Sequence, residues 1–144
     1  MTGPAQREIE VAAALVFRDG KLLITQRHAH AHLGGLWEFP GGKREPNETF
    51  EECLRRELRE ELGIEVRVGP LFESVTHPYD DRTIHLRFFI CRWEQHEPQL
   101  LDCADFKWVG REQLEEYAFP PADAQLLARL QSSPELWRQH APPA

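Results

Sequence analysis

Apolar and polar positions alternate, run together and break along this chain in a pattern that predicts strands interleaved with a few helices. From Ile9 to Phe17 the residues are apolar and rich in Val and Ala; Arg18-Asp19-Gly20-Lys21 interrupts, and Leu22-Leu23-Ile24 resumes. An Asp-Gly pair between two apolar runs predicts strand, tight turn, strand. His28 to Gly35 is small and polar and reads as a loop, and Trp37 to Phe39 is a short extended piece stopped by Pro40-Gly41-Gly42. A helical period then spans about Glu48 to Leu62, with Gly63 where a C-terminal glycine cap belongs. Strand-like runs follow at Glu65 to Val75 and Thr83 to Trp93, divided by Pro78-Tyr79-Asp80-Asp81, and Phe106 to Val109 is a further short strand. Arg111 to Tyr117 and Ala122 to Leu130 read as helical, with Pro120-Pro121 ahead of the second. This order predicts an α/β fold in which a mixed sheet is covered on both faces. The boundaries expected are one domain over 1–131 and a tail at 132–144, in which Trp137 points to packing.

Composition narrows the picture. The 144 residues fit one domain, and 41% hydrophobic with 28% charged residues is ordinary for a globular protein. A net charge of -7 argues against broad binding to a nucleic acid polymer or an anionic membrane surface. It leaves a phosphate substrate open, because bound cations reverse the local sign of a site. Cys53, Cys91 and Cys103 are scattered and form no CxxC pair, which suits reduced thiols better than a disulfide framework or a zinc site. Met1 to Ile9 lacks an apolar signal core and no run is long enough to span a bilayer, so a cytoplasmic location is expected.

The chemistry concentrates in the predicted helix. Glu57, Glu60 and Glu61 are spaced i, i+3 and i+4 and share one side. A Glu-rich helix is most often a solvated acidic face. On a wheel with Phe50 at zero, the stripe Phe50, Leu54, Leu58 and Leu62 drifts from about 0° to 120°. Glu57 and Glu61 fall near -20° and +20°, at the edge of that stripe, while Glu60 falls near -80°. The opposite face carries Glu52, Arg55 and Arg59. Acids held at the edge of a core repel one another and lose hydration, a cost that bound cations relieve. All-oxygen ligation favours Mg²⁺ or Mn²⁺ over zinc.

Gly42, five residues, Glu48, seven residues, then Arg56-Glu57-Leu58-Arg59-Glu60-Glu61-Leu62-Gly63-Ile64 matches the Nudix box at every fixed position. The chain therefore resembles the Nudix hydrolases, over roughly Ile9 to Leu130. Trp37-Glu38-Phe39-Pro40-Gly41-Gly42-Lys43 and Phe119-Pro120-Pro121-Ala122 are similar to the MutT branch. The resemblance implies an α/β/α sandwich with a loop-helix-loop catalytic segment. It further implies a hydrolase in which Glu57, Glu60 and Glu61, with the carbonyl of Gly42, bind divalent cations. Glu48 and Arg56 become orienting residues, and a water activated by the cations attacks phosphorus, with Glu57 the favoured base. Asp102, six residues before Trp108, stands where such proteins usually carry a further metal-binding Glu; Asp105 is its rival.

Arg27 matches an arginine near the substrate phosphates, and Phe39, Tyr79, Asp81 and Arg82 match positions lining the base pocket. An ordinary surface arginine and a turn pair at Asp81-Arg82 are the plainer alternatives. His28, His30 and His32 alternate, but a polar loop explains them without a metal. Asp123 stands where MutT carries an asparagine that reads an oxidised purine. Pro121-Ala122-Asp123 with Leu126-Leu127 is similar to the CTP pyrophosphohydrolase relatives. A carboxylate only accepts, so it suits the exocyclic amine of cytosine or adenine, or N–H groups of guanine; a helix N-terminal acid is the alternative. The expected activity is conversion of a (d)NTP, oxidised or modified bases included, to (d)NMP and pyrophosphate by a monomer or homodimer, in nucleotide-pool sanitation and DNA repair. Hydrolysis of nucleoside-diphosphate derivatives such as ADP-ribose, or a non-catalytic nucleotide-binding module, are the alternatives.

Overall fold

A computed structural model describes residues 7–142. The first apolar run is β1 (Arg7–Arg18), which turns at Asp19 and Gly20 into β2 (Lys21–Gln26). Both turn residues have positive φ, 51° and 77°, the backbone of a two-residue hairpin turn. Two short strands follow, β3 (Trp37–Glu38) and β4 (Gly41–Lys43), then helix α1 (Phe50–Leu62). A long hairpin of β5 (Glu65–Pro78) and β6 (Arg82–Gln95) precedes β7 (Asp105–Val109). Helices α2 (Ala124–Gln131) and α3 (Pro134–Gln139) close the described chain.

Among the described residues the strands form one sheet in the order β3-β2-β1-β6-β5, with β4 paired to β1 and β7 paired to β2. β1 and β6 run parallel, from Arg7 opposite Arg82 to Phe17 opposite Arg92; the other pairings are antiparallel. Successive residues of β1 point to opposite faces, and both faces are covered, which is why the run is apolar throughout. Ala12, Ala14 and Val16 pack with Leu54, Leu58 and Leu62 of α1. Ala13, Leu15 and Phe17 pack with Leu114, Leu126, Leu130, Leu136 and Trp137. This is the expected α/β/α sandwich. The three α1 leucines are fully buried, each contributing roughly 2 kcal/mol.

Several local expectations shift. Helix α1 starts at Phe50, two residues after Glu48, because Thr49 caps it: the Thr49 hydroxyl accepts from the Glu52 N–H at 3.0 Å, and Glu52 Oε1 accepts from the Thr49 N–H at 2.9 Å. Gly63 ends it in the left-handed region at φ 69°, as its position predicts. Arg111–Glu116 is a 3₁₀ helix and not an α-helix, and a 3₁₀ turn at Pro121–Asp123 precedes α2. Within 132–144, α3 buries Leu136 and Trp137, and the Trp137 indole N–H donates to the Leu130 carbonyl at 2.9 Å.

Candidate active site

Arg56 is the hub of the acidic segment. Its Nε donates to Glu48 Oε2 at 2.7 Å and its Nη2 to Glu48 Oε1 at 3.0 Å, a fork matched to one carboxylate. These bonds, with the Glu45 N–H at 2.9 Å, hold the Glu48 carboxyl at about 2. Arg56 Nη2 also reaches the Lys43 carbonyl at 3.2 Å, so one side chain joins the loop after β4 to α1. Its Nη1 lies 2.9 Å from Glu57 and 3.4 Å from Glu60.

The three acids sit as the wheel predicts. The Glu60 side chain is 60% exposed, whereas that of Glu57 is 16% exposed. The Glu57 carboxylate lies directly against Gly42: a Cβ there would fall 2.4 Å from Glu57 Cδ, so only glycine admits this approach. Burial raises the Glu57 pKa, opposed by the bond and charge of Arg56. Glu61 is pushed up to about 9, first by burial and then by the charges of Glu57, Glu38 and Asp102, although the Gly41 N–H favours its anion.

The loop carrying Asp102 is tied to α1 and β2 by backbone bonds. Leu101 and Asp102 N–H donate to the Glu61 carbonyl at 3.2 and 3.1 Å, and the Ala104 N–H to that of Gln26 at 2.9 Å. The Asp102 side chain is 75% exposed and meets His28 Nε2 at 3.3 Å. Arg27, His28, Glu38, Glu61, Asp102 and Cys103 line a polar cleft of about 190 Å³.

A second cleft of about 350 Å³ opens beside it, with Phe39, Ile84, Leu86 and Phe88 as apolar wall and Lys43, His77, Tyr79, Arg82 and Asp123 among its polar groups. Phe39 stacks on Phe119 at 5.2 Å, and the Arg82 guanidinium stands 5.5 Å from the Tyr79 ring. Arg82 Nε is buried without a hydrogen-bond partner among the described residues. Asp123 precedes α2 but makes no capping bond; it is 7% exposed, and burial, then Glu38, raise its pKa to about 6. Glu38 and Arg27, paired at 3.0 Å, line both clefts.

The structure thus brings Gly42, Glu48, Arg56, Glu57, Glu60 and Glu61 together, with Asp102 across a cleft from Glu61. Arg27, Phe39, Tyr79, Arg82 and Asp123 gather in the second cleft, but Asp81 does not; it stays exposed in the turn. The rival Asp105 is used locally, accepting the Phe106 N–H at 2.8 Å. The three histidines do not converge: His28 stacks on His30, while His32 lines the other cleft. Glu38 is the residue that sequence reasoning missed. Its inward direction depends on the pairing of β3 with β2, where it sits opposite the buried Thr25. The one signal was its place within Trp37-Glu38-Phe39-Pro40.

Among the described residues, no three of His, Cys, Asp and Glu are drawn together closely enough to hold an ion as they stand. The donor chemistry nevertheless fits a hard cation. The groups are all oxygen donors, and the charge of Glu61 is opposed by burial and by three other acids, a penalty that a nearby divalent ion relieves.

A NUDIX domain family model matches residues 11–129. The chain is 44% identical over 124 residues to the CTP pyrophosphohydrolase of Escherichia coli strain K12, covering 83% of this chain and 88% of that protein. It is 36% identical over 126 residues to the 8-oxo-dGTP diphosphatase of the same organism, covering 86% and 97%. The solution structure of the E. coli ORF135 protein superimposes with a TM-score of 0.76 at 40% identity, covering 91% of this chain and 95% of that one. A MutT protein from Methanosarcina mazei Go1, at 23% identity, shares the fold with a TM-score of 0.79 over 91% and 98%. With its box residues assembled around Arg56 and its whole domain matched, the chain belongs to the Nudix family as a MutT-like hydrolase.

Proposed function

We propose that this protein is a nucleoside triphosphate pyrophosphohydrolase that converts a (d)NTP to (d)NMP and pyrophosphate, with Mg²⁺ as its metal. The observation that carries the reading is the shared wall. Arg27 and Glu38 line both the acid-bearing cleft and the apolar one, so phosphates and base have adjoining places. Family members generally use a divalent metal. In this reading Glu57, Glu60 and Glu61, the Gly42 carbonyl and Asp102 hold it. When bound, such a cation lowers the pKa of the attacking water, neutralises phosphate oxygens and stabilises the leaving group. Glu57 takes the proton from the water, its position set by Gly42 and Arg56. Glu48 fixes Arg56 through the paired bonds. Arg27 faces the phosphates, while Phe39, Tyr79 and Arg82 bound the base.

Asp123 reads the base. As a carboxylate it accepts an exocyclic amine, which favours cytosine nucleotides, in keeping with the name of the 44% identical relative. The test is a panel of dCTP, CTP, 5-methyl-dCTP, 8-oxo-dGTP and ADP-ribose with Mg²⁺. Pyrophosphate release with dCTP or CTP above 8-oxo-dGTP is expected. Turnover of ADP-ribose alone overturns the triphosphate reading, and preference for 8-oxo-dGTP overturns the base reading.

A further inference from the structure

We infer that His28 is a positioning residue that orients the Asp102 carboxylate toward Glu61, an inference that rests on the reading of Asp102 as an acid of the cation site. The bonds from Leu101 and Asp102 N–H to the Glu61 carbonyl, and from Ala104 to Gln26, fix the Asp102 backbone. They leave its side-chain torsions free. An aspartate with 75% of its side chain exposed spreads over its rotamers unless something holds it. His28 supplies the hold, with Nε2 3.3 Å from Oδ1, and both side chains line the same cleft as Glu61. With Nε2–H donating to Oδ1, the second oxygen of Asp102 stays free for another partner.

The His28 ring is itself held. It stacks on His30 at 5.4 Å between centroids and 17° between planes, and the Ala31 N–H closes a turn onto the His28 carbonyl at 3.0 Å. The contact therefore bridges two loops that enter the cleft from different parts of the chain, one after β2 and one before β7. Orientation matters more for Asp than for Glu. The shorter side chain has one fewer torsion and cannot flex to recover a misdirected carboxylate. Outer partners of this kind tune metal affinity by holding the ligand and not by touching the ion.

Mn²⁺ binding to the nucleotide-free protein, followed by the EPR signal of the free ion, tests this with Asp102→Ala, His28→Phe, His28→Gln and the double variant His28→Phe/Asp102→Ala. His28→Phe keeps a ring but has no donor; Gln restores an N–H near the Nε2 position. His28→Phe is expected to weaken Mn²⁺ binding about twofold to fivefold, the size suited to an exposed pair, with the melting temperature unchanged. His28→Gln recovers most of the loss, and the double variant is no weaker than Asp102→Ala. If Asp102→Ala leaves binding unchanged, the reading of Asp102 fails and this inference fails with it. If Asp102→Ala weakens binding while His28→Phe does not, Gln fails to rescue, or the losses add in full, the inference alone is overturned.

Discussion

Asp123 is a buried acid outside helix α1, 7% exposed. Its pKa, raised by burial from 3.8 to about 6, means that folding opposes its ionisation. Well below pH 3.8 the group is protonated in both folded and unfolded chains and imposes no penalty. As pH rises through 6 the stability it contributed in protonated form is lost. Asp123→Asn is therefore expected to raise stability by about 3 kcal/mol at pH 8, with the gain shrinking as pH falls from about 6 toward about 3 in melts across that range. Protonation also gives the carboxyl a donor beside its acceptor, the pattern of an amide. The ratio of dCTP to 8-oxo-dGTP turnover should fall from pH 7.5 to pH 5 in the wild type and stay level in Asp123→Asn. A ratio is the right quantity, since shared catalytic groups cancel from it. A ratio equally pH-dependent in the variant would remove Asp123 from base reading. The residue was legible as a departure from an asparagine, but its burial and the nearby Glu38 were not, because both depend on how the Pro121–Asp123 turn packs beside β3.

At the scale of elements, α1 and β4 act as one part. Gly42→Ala places a methyl where the Glu57 carboxylate lies, so it should reduce kcat by about 10²-fold or more by displacing the proposed base, while thermal unfolding changes little because the clash falls on a side chain. Thr49→Ala should act the other way, removing a cap of about 1 kcal/mol from stability while leaving kcat near that of the wild type. Glu61→Gln should abolish most turnover without loss of fold, since burial already opposes the charge it removes; full activity in that variant would refute the proposed metal site. This part of the site was readable early because a helix converts spacing into direction with few unknowns: Glu57 and Glu61 turned inward and Glu60 outward as the wheel requires. Loops offer no such rule. Nothing in the order of residues places His28 beside Asp102, nor shows that Asp81 stays out of the cleft that Tyr79 and Arg82 enter.

For the molecule as a whole, the periodicity foretold a sheet covered on two faces but not its pairing. The parallel contact of β1 with β6 joins segments that local patterning cannot relate. Trp137 was legible as a buried residue but not by its partners, Phe17 in an edge-to-face contact at 5.3 Å and the Leu130 carbonyl. Trp137→Ala should cost about 3–5 kcal/mol in denaturant unfolding, and an unchanged midpoint would show that α3 is dispensable to the core. The long-range pairing of β1 has a consequence for biosynthesis. During vectorial translation the Glu57–Glu61 helix leaves the ribosome before β6 emerges, so its acids first meet water. Glu61 stays open until β6 has docked on β1 and the Asp102 loop that follows it has closed on the Glu61 carbonyl, so the crowding of charge around Glu61 is a late event of folding, and one that a divalent ion would relieve as it arises.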